Sequence, residues 1–211
     1  MKGEIRRILQ RAPVVPVIVV HDVADAAPLA TALVEGGLPV LEVTLRTPAA
    51  LEAIQAMRRA VPEAIVGVGT LTSPEQFAAA RAAGAQFGVS PGLAPALLGA
   101  ARAQGDWPFL PGVMTPSELL AAREAGYDCC KLFPARQAGG VDMLRALHAV
   151  FPDVAFCPTG GISAEDAAAY LALPNVLSVG GSWVAPAKLV RDRDWEGIRR
   201  LAAGAAALPR G

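Results

Sequence analysis

Eight times along the chain, a short run of β-branched and other apolar residues is followed by a longer Ala- and Leu-rich segment with helical spacing. The runs fall at 14–20, 40–45, 65–70, 87–90, 109–113, 129–133, 154–158 and 176–180. The helical segments fall at 24–36, 48–61, 74–84, 95–104, 116–126, 140–151, 164–172 and 186–208. Strands that alternate with helices are joined by right-handed crossovers into a parallel sheet, and near-continuous apolar character fits a sheet covered on both faces. Eight such units predict an α/β fold, a (β/α)8 TIM barrel, with the charged start Met1 to Arg7 forming a short N-terminal helix. An open doubly wound sheet shares the periodicity and is the rival architecture. The 211 residues leave little room for two full domains and no linker interrupts the series, so 1–211 reads as a single domain.

Several helix ends carry their own chemistry. Thr47-Pro48, Ser73-Pro74 and Thr115-Pro116 each place a hydroxyl at the N-cap before a proline at the first helical position. Gly84 and Gly126 stand where a helix ends in the left-handed conformation that glycine adopts without steric cost.

Charge narrows the partners. Nineteen basic residues balance nineteen acidic ones, which leaves no long-range field for nucleic acid or an anionic membrane. The apolar run at 14–20 is broken by Pro16 and is far below the ~18 residues of a membrane span. No apolar segment directly follows the charged start as in a secretory signal. The expectation is a soluble, cytoplasmic protein with no nucleic-acid and no membrane partner. Cys129, Cys130 and Cys157 lack metal-ligand spacing, and adjacent strand residues face opposite ways, so they read as reduced core thiols and no metal site is expected. His148 falls in mid-helix, a structural position, while His21 follows the first strand without a motif partner.

Active sites of such barrels lie at the C-terminal ends of the strands. Of nineteen basic residues only Lys2, Lys131 and Lys188 are lysine, and Lys131 lies within an apolar strand. A buried ammonium is costly unless it is paired or gives up its proton, and the neutral amine is the nucleophile of Schiff-base chemistry. In Leu41-Glu42-Val43-Thr44-Leu45-Arg46, alternation puts Glu42, Thr44 and Arg46 on one face, which in a barrel is the inside. There Glu42 is suited to proton transfer and Arg46 to gripping a carboxylate or phosphate. The plainer reading is an ion pair of Glu42 with Arg46 or Lys131. Two glycine-rich strand ends, Pro158-Thr159-Gly160-Gly161-Ile162 and Val179-Gly180-Gly181-Ser182-Trp183, fall on strands seven and eight, where barrels often hold phosphate against backbone N–H groups. Thr70 closes strand three and Ser90-Pro91-Gly92 follows strand four; either lines a pocket or is ordinary turn chemistry.

Together these segments resemble a known family. Glu42-Val43-Thr44-Leu45-Arg46-Thr47, Gly67-Val68-Gly69-Thr70, Ser90-Pro91-Gly92, Lys131-Leu132-Phe133-Pro134-Ala135, Cys157-Pro158-Thr159-Gly160-Gly161-Ile162 and Gly180-Gly181-Ser182-Trp183 resemble the 2-keto-3-deoxy-6-phosphogluconate (KDPG) aldolases, which also cleave 4-hydroxy-2-oxoglutarate. The similarity runs over nearly the whole chain, in order. It implies a homotrimeric class I aldolase that splits KDPG into pyruvate and glyceraldehyde 3-phosphate without a metal or other cofactor. By this resemblance Lys131 is the Schiff-base lysine and Glu42 the general acid/base, acting directly or through a water. Arg46 and Thr70 hold the pyruvoyl carboxylate, and Phe133 and Pro91 wall the pocket. Thr159, which the glycine-rich motif carries, joins Gly160, Gly161, Gly180, Gly181 and Ser182 at the phosphate end. Leu132, Val68 and Met114 depart from the common pattern and bear on substrate preference rather than on the reaction. The alternatives are a 2-keto-3-deoxy-6-phosphogalactonate aldolase, which differs in C4 stereochemistry, and a phosphosugar-binding barrel or isomerase in which Lys131 merely pairs with Glu42.

Overall fold

In the computed structural model, which describes residues 3–211, each alternation becomes one stave of a barrel. The strands are β1 (Val14–Ile18), β2 (Val40–Thr44), β3 (Ile65–Gly69), β4 (Gly88–Val89), β5 (Phe109–Leu110), β6 (Gly112–Val113), β7 (Cys129–Leu132), β8 (Ala155–Phe156) and β9 (Val179–Gly181). All ladders are parallel, in the orders β5-β4-β3-β2-β1-β9 and β6-β7-β8. β5 and β6 are two halves of the fifth stave, parted at Pro111, whose carbonyl accepts from the Lys131 N–H. Bridges Phe156 to Val176 and Thr159 to Gly180 tie β8 to the start and end of the last stave and close the ring. An open doubly wound sheet, whose two edges would stay apart, is therefore not formed. Six predicted strands overrun the ladders by one to three residues, the fifth matches in extent, and the last begins three residues early and ends one short.

The helices are α1 (Glu4–Leu9), α2 (Ala26–Glu35), α3 (Ala50–Ala60), α4 (Glu75–Ala82), α5 (Pro95–Ala103), α6 (Pro116–Glu124), α7 (Gly140–Val150), α8 (Ala164–Leu171), α9 (Ala187–Arg191) and α10 (Trp195–Ala206). Met1 and Lys2, part of the expected N-terminal helix, lie outside the described residues. Of the three expected hydroxyl caps, only Thr115 serves as one. Its side chain accepts from the Glu118 N–H while Glu118 accepts from the Thr115 N–H at 2.8 Å, a capping box at the start of α6. Thr47 instead donates its hydroxyl to the Val20 carbonyl, and α3 begins three residues later. Before α4 it is Gln76, not Ser73, that gathers the free amides, accepting from Thr72 and Ser73. The segment 186–208 is two helices rather than one. Arg193 is left-handed at φ 53, and Asp194 opens α10 by accepting from the Gly197 N–H at 2.8 Å. Gly84 and Gly126 do take the expected left-handed conformation, at φ 88 and 93.

Strand alternation sorts the apolar residues into two bodies. Val14, Leu41, Phe109, Cys130, Leu132 and Phe156 face outward and pack with the helices in the larger core. Their chain neighbours Val15, Val40, Leu110, Cys129 and Ala155 face inward, where Ile5, Ile8 and Leu9 of α1 join them from below. α1 thus plugs the floor, and Arg6 fastens it by donating to the carbonyls of Asp128 and Asp153, each at 2.7 Å. The adjacent cysteines face opposite bodies, as alternation requires. Among the described residues no helix is long and apolar enough to cross a membrane.

Candidate active site

With its floor sealed by apolar side chains, the barrel can hold polar chemistry only toward the mouth. The inward positions there are Glu42 on β2 and Lys131 on β7, flanked by Leu41, Val43, Cys130 and Leu132, which face the helices. Lys131 Nζ donates to Glu42 Oε1 at 3.0 Å. The two residues are 5% and 3% exposed, so the pair is closed off from bulk water. The Phe133 ring centre lies 5.4 Å from the same ammonium and screens it from above. The plainer reading of an ion pair is thus present geometrically, and Lys131, not Arg46, is the partner of Glu42. Thr44, one step up β2, is a strut whose hydroxyl donates to the Ile18 carbonyl at 2.8 Å.

Above the pair opens a cavity of 150 Å³ lined by Arg46, Phe133, Thr159, Gly160, Gly161, Gly180 and Ser182, together with Val17 and Ile162. Seven residues singled out in the sequence therefore converge on one space. Its backbone is shaped for close approach: Gly160 and Gly161 have φ 101 and 74, and a Cβ on Gly180 would lie 2.7 Å from Thr159 Cγ2. The carbonyls of Thr159 and Gly160 accept from Ala135 and Arg136, which joins the ends of the seventh and sixth staves. The remaining candidates, Lys131 and Glu42 included, do not line this cavity, and Phe133, whose ring lies over the Lys131 ammonium, connects the pair to it. Thr70 follows β3 in a left-handed conformation at φ 66, directly after Gly69, against which Glu42 lies. Pro91 packs on Gly112, the register partner of Lys131. Gly181 is spent in the ladder with Pro16 and in making room for Trp183.

One contributor was not visible in the sequence, and another was visible only as a turn. Val17 is one valine in an apolar run, and only its pairing opposite Glu42 brings it to the cavity. The Ser90 hydroxyl accepts from Gly112 N–H at 3.2 Å and donates to the Gly92 carbonyl at 2.8 Å, pinning the Pro91 turn against the fifth stave. His21 reaches the mouth in a neighbouring cavity of 670 Å³ that shares Val17 and Ser182 with the first. Below the pair, burial pushes the Cys157 thiol up to about 11, with Ser178, Lys131 and Thr159 acting in the opposite direction and Glu42 adding to the rise. No group of three or more His, Cys, Asp or Glu suited to a metal occurs among the described residues.

A nucleophile-forming amine, a carboxylate at hydrogen-bond distance and a glycine-lined anion pocket are what imine chemistry on an anionic substrate needs. Comparison with known proteins agrees. The sequence pattern of the aldolase family "KDPG and KHG aldolase" matches residues 5–201. The chain is 50% identical over 201 residues to the KHG/KDPG aldolase of Escherichia coli, covering 95% of this chain and 94% of that one. It is 49% identical over 205 residues to the 2-dehydro-3-deoxy-phosphogluconate aldolase of Pseudoalteromonas atlantica, covering 95% of each. A crystal structure of KDPG aldolase from Legionella pneumophila, with pyruvate captured as a covalent carbinolamine intermediate, superposes with a TM-score of 0.95 at 43% identity, covering 98% of this chain and 100% of that one.

Proposed function

Because the chain belongs to the KDPG and KHG aldolase family, we propose that Lys131 and Glu42 are its catalytic pair and that KDPG is its substrate. The enzyme is a class I, Schiff-base aldolase, a carbon–carbon lyase acting on a phosphorylated keto acid. The observation that carries the assignment of roles is the buried contact of 3.0 Å between Lys131 Nζ and Glu42 Oε1 beneath the glycine-lined cavity.

In the proposed sequence Glu42 accepts a proton from Lys131, and the freed amine attacks the C2 ketone. The carbinolamine hydroxyl leaves as water with the proton held by Glu42, giving an iminium and restoring the Glu42 carboxylate. Glu42, directly or across one water, takes the C4 hydroxyl proton, and the C3–C4 bond breaks with its electrons flowing into the iminium. Glyceraldehyde 3-phosphate leaves, the resulting enamine is protonated at C3 from Glu42, and water releases pyruvate and the amine. Arg46 and Thr70 hold the carboxylate. Thr159, Gly160, Gly161, Gly180 and Ser182 hold the phosphate, with Gly181 supporting them from the ladder, while Phe133 and Pro91 close the sides. 4-Hydroxy-2-oxoglutarate, cleaved to pyruvate and glyoxylate, is the secondary substrate.

The test is intact mass after pyruvate and borohydride, with peptide mapping. A reduced pyruvyl adduct on Lys131, absent in Lys131→Ala, is expected, together with a loss of kcat of roughly 10³-fold or more in the variant. A folded protein that forms no adduct would overturn the reading in favour of non-covalent phosphosugar binding. Rates on the gluconate- and galactonate-derived substrates decide the C4 preference. A homotrimer in the cytoplasm completes the proposal and rests on the family resemblance. Light scattering is expected to give three times the chain mass of 21.7 kDa, and a monomeric mass would refute the trimer.

A further inference from the structure

We propose that Gly69 is a positioning residue whose missing side chain forms the seat on which the Glu42 carboxylate lies within reach of Lys131. The proposal rests on the reading of Glu42 as the proton carrier. On the β2–β3 ladder the register partner of Glu42 is Gly67, and that of Gly69 is Thr44. The Glu42 side chain therefore leans two residues toward the mouth and crosses β3 at Gly69. A Cβ there would stand 2.8 Å from both Cγ and Cδ of Glu42, and nearer still to Oε1; these are the three closest atoms it would meet. The same Oε1 accepts from Lys131. One methyl group at this position thus moves the oxygen that faces the reacting amine. Gly69 lies outside the left-handed region, unlike Thr70 beside it, so alanine suits the backbone and acts through Glu42. Gly67 makes room for a different neighbour, the Phe87 ring, and so separates general crowding of β3 from an effect on the carboxylate.

The measurement is exchange of the pyruvate C3 protons in heavy water, followed by NMR, which needs the imine and the proton carrier but no aldehyde. Gly69→Ala is expected to keep borohydride trapping on Lys131 and hold KM for pyruvate within about threefold, while kcat for exchange falls about 10- to 100-fold, the scale of a carboxylate misplaced by an ångström. In Glu42→Asp, whose shorter chain withdraws the outer oxygen from residue 69, adding the same alanine is expected to cost less than about threefold. Equal losses in both backgrounds, unchanged exchange in Gly69→Ala, or the same kcat effect from Gly67→Ala would overturn the proposal. Should Gly69→Ala fail to fold, a Glu42→Ala/Gly69→Ala variant that melts as Glu42→Ala does supports the contact, and a further loss relative to Glu42→Ala refutes it. Exchange at the wild-type rate in Glu42→Gln is the separate result that removes the premise.

Discussion

The ammonium and carboxylate of Lys131 and Glu42 sit where an apolar pair would be cheaper. Each has lost most of its hydration, with side-chain exposures of 6% and 4%, and their mutual attraction offsets only part of that loss. Removing Glu42 alone leaves a buried charge without a partner, so Glu42→Ala is expected to lower the unfolding free energy by about 3 kcal/mol in urea titrations. The double variant Glu42→Leu/Lys131→Met is expected to regain most of that stability with no activity; equal instability of the single and double variants would contradict this account. Ser90 offers a second test at this scale. Ser90→Ala leaves the Gly112 amide without its side-chain acceptor, at a cost of about 1–3 kcal/mol. It is also expected to raise KM for pyruvate through the loosened Pro91 turn, and an unchanged KM would show that turn to be irrelevant to binding. Much of this was legible residue by residue. A rare lysine in an apolar strand and alternating polar positions on β2 singled out the pair. The choice of Lys131 over Arg46 as partner was not legible, because it depends on which staves face each other across the ring.

At the scale of elements, the alternation of strand and helix identified every stave, since period-2 and period-3.6 patterns differ over even short windows. What escaped were ends and breaks. Ser or Thr before Pro reads as an N-cap at three places, yet tertiary partners claim Thr47, and Gln76 does the capping before α4. The division between α9 and α10 turns on the left-handed Arg193, a conformation no side chain at that position advertises. Where the local signal is self-contained, as in Thr115-Pro116-Ser117-Glu118, it held. The Glu118 carboxyl lies below its ordinary range although burial pushes it up, because the amides of Met114 and Thr115 and the Thr115 hydroxyl donate to it. Thr115→Ala is therefore expected to cost about 1 kcal/mol in urea unfolding. A change below the error of the titration would mean that α6 is held by packing alone.

For the whole molecule, the three interior thiols set an alkaline limit. Burial pushes Cys130 up to about 12 and Cys157 up to about 11 from an ordinary 9.0, and it raises Cys129 as well. Above pH 9 the unfolded chain loses thiol protons that the folded chain retains, so the folded state binds more protons and stability falls as pH rises toward 11–12. The urea midpoint is expected to drop between pH 8 and 10.5, and the drop to shrink in Cys157→Ala; a flat profile would refute it. The two apolar bodies have a different consequence, for how such an enzyme can change over generations. The proposed chemistry lies above the inner body, while the outer body anchors the helices and meets the cavity at Ile162. Substitutions in the shell and in the pocket share few neighbours, so their free energies should add to within about 0.5 kcal/mol. A lineage can then accumulate stability in its shell first, and later use it to tolerate the destabilising pocket changes that open a new substrate range.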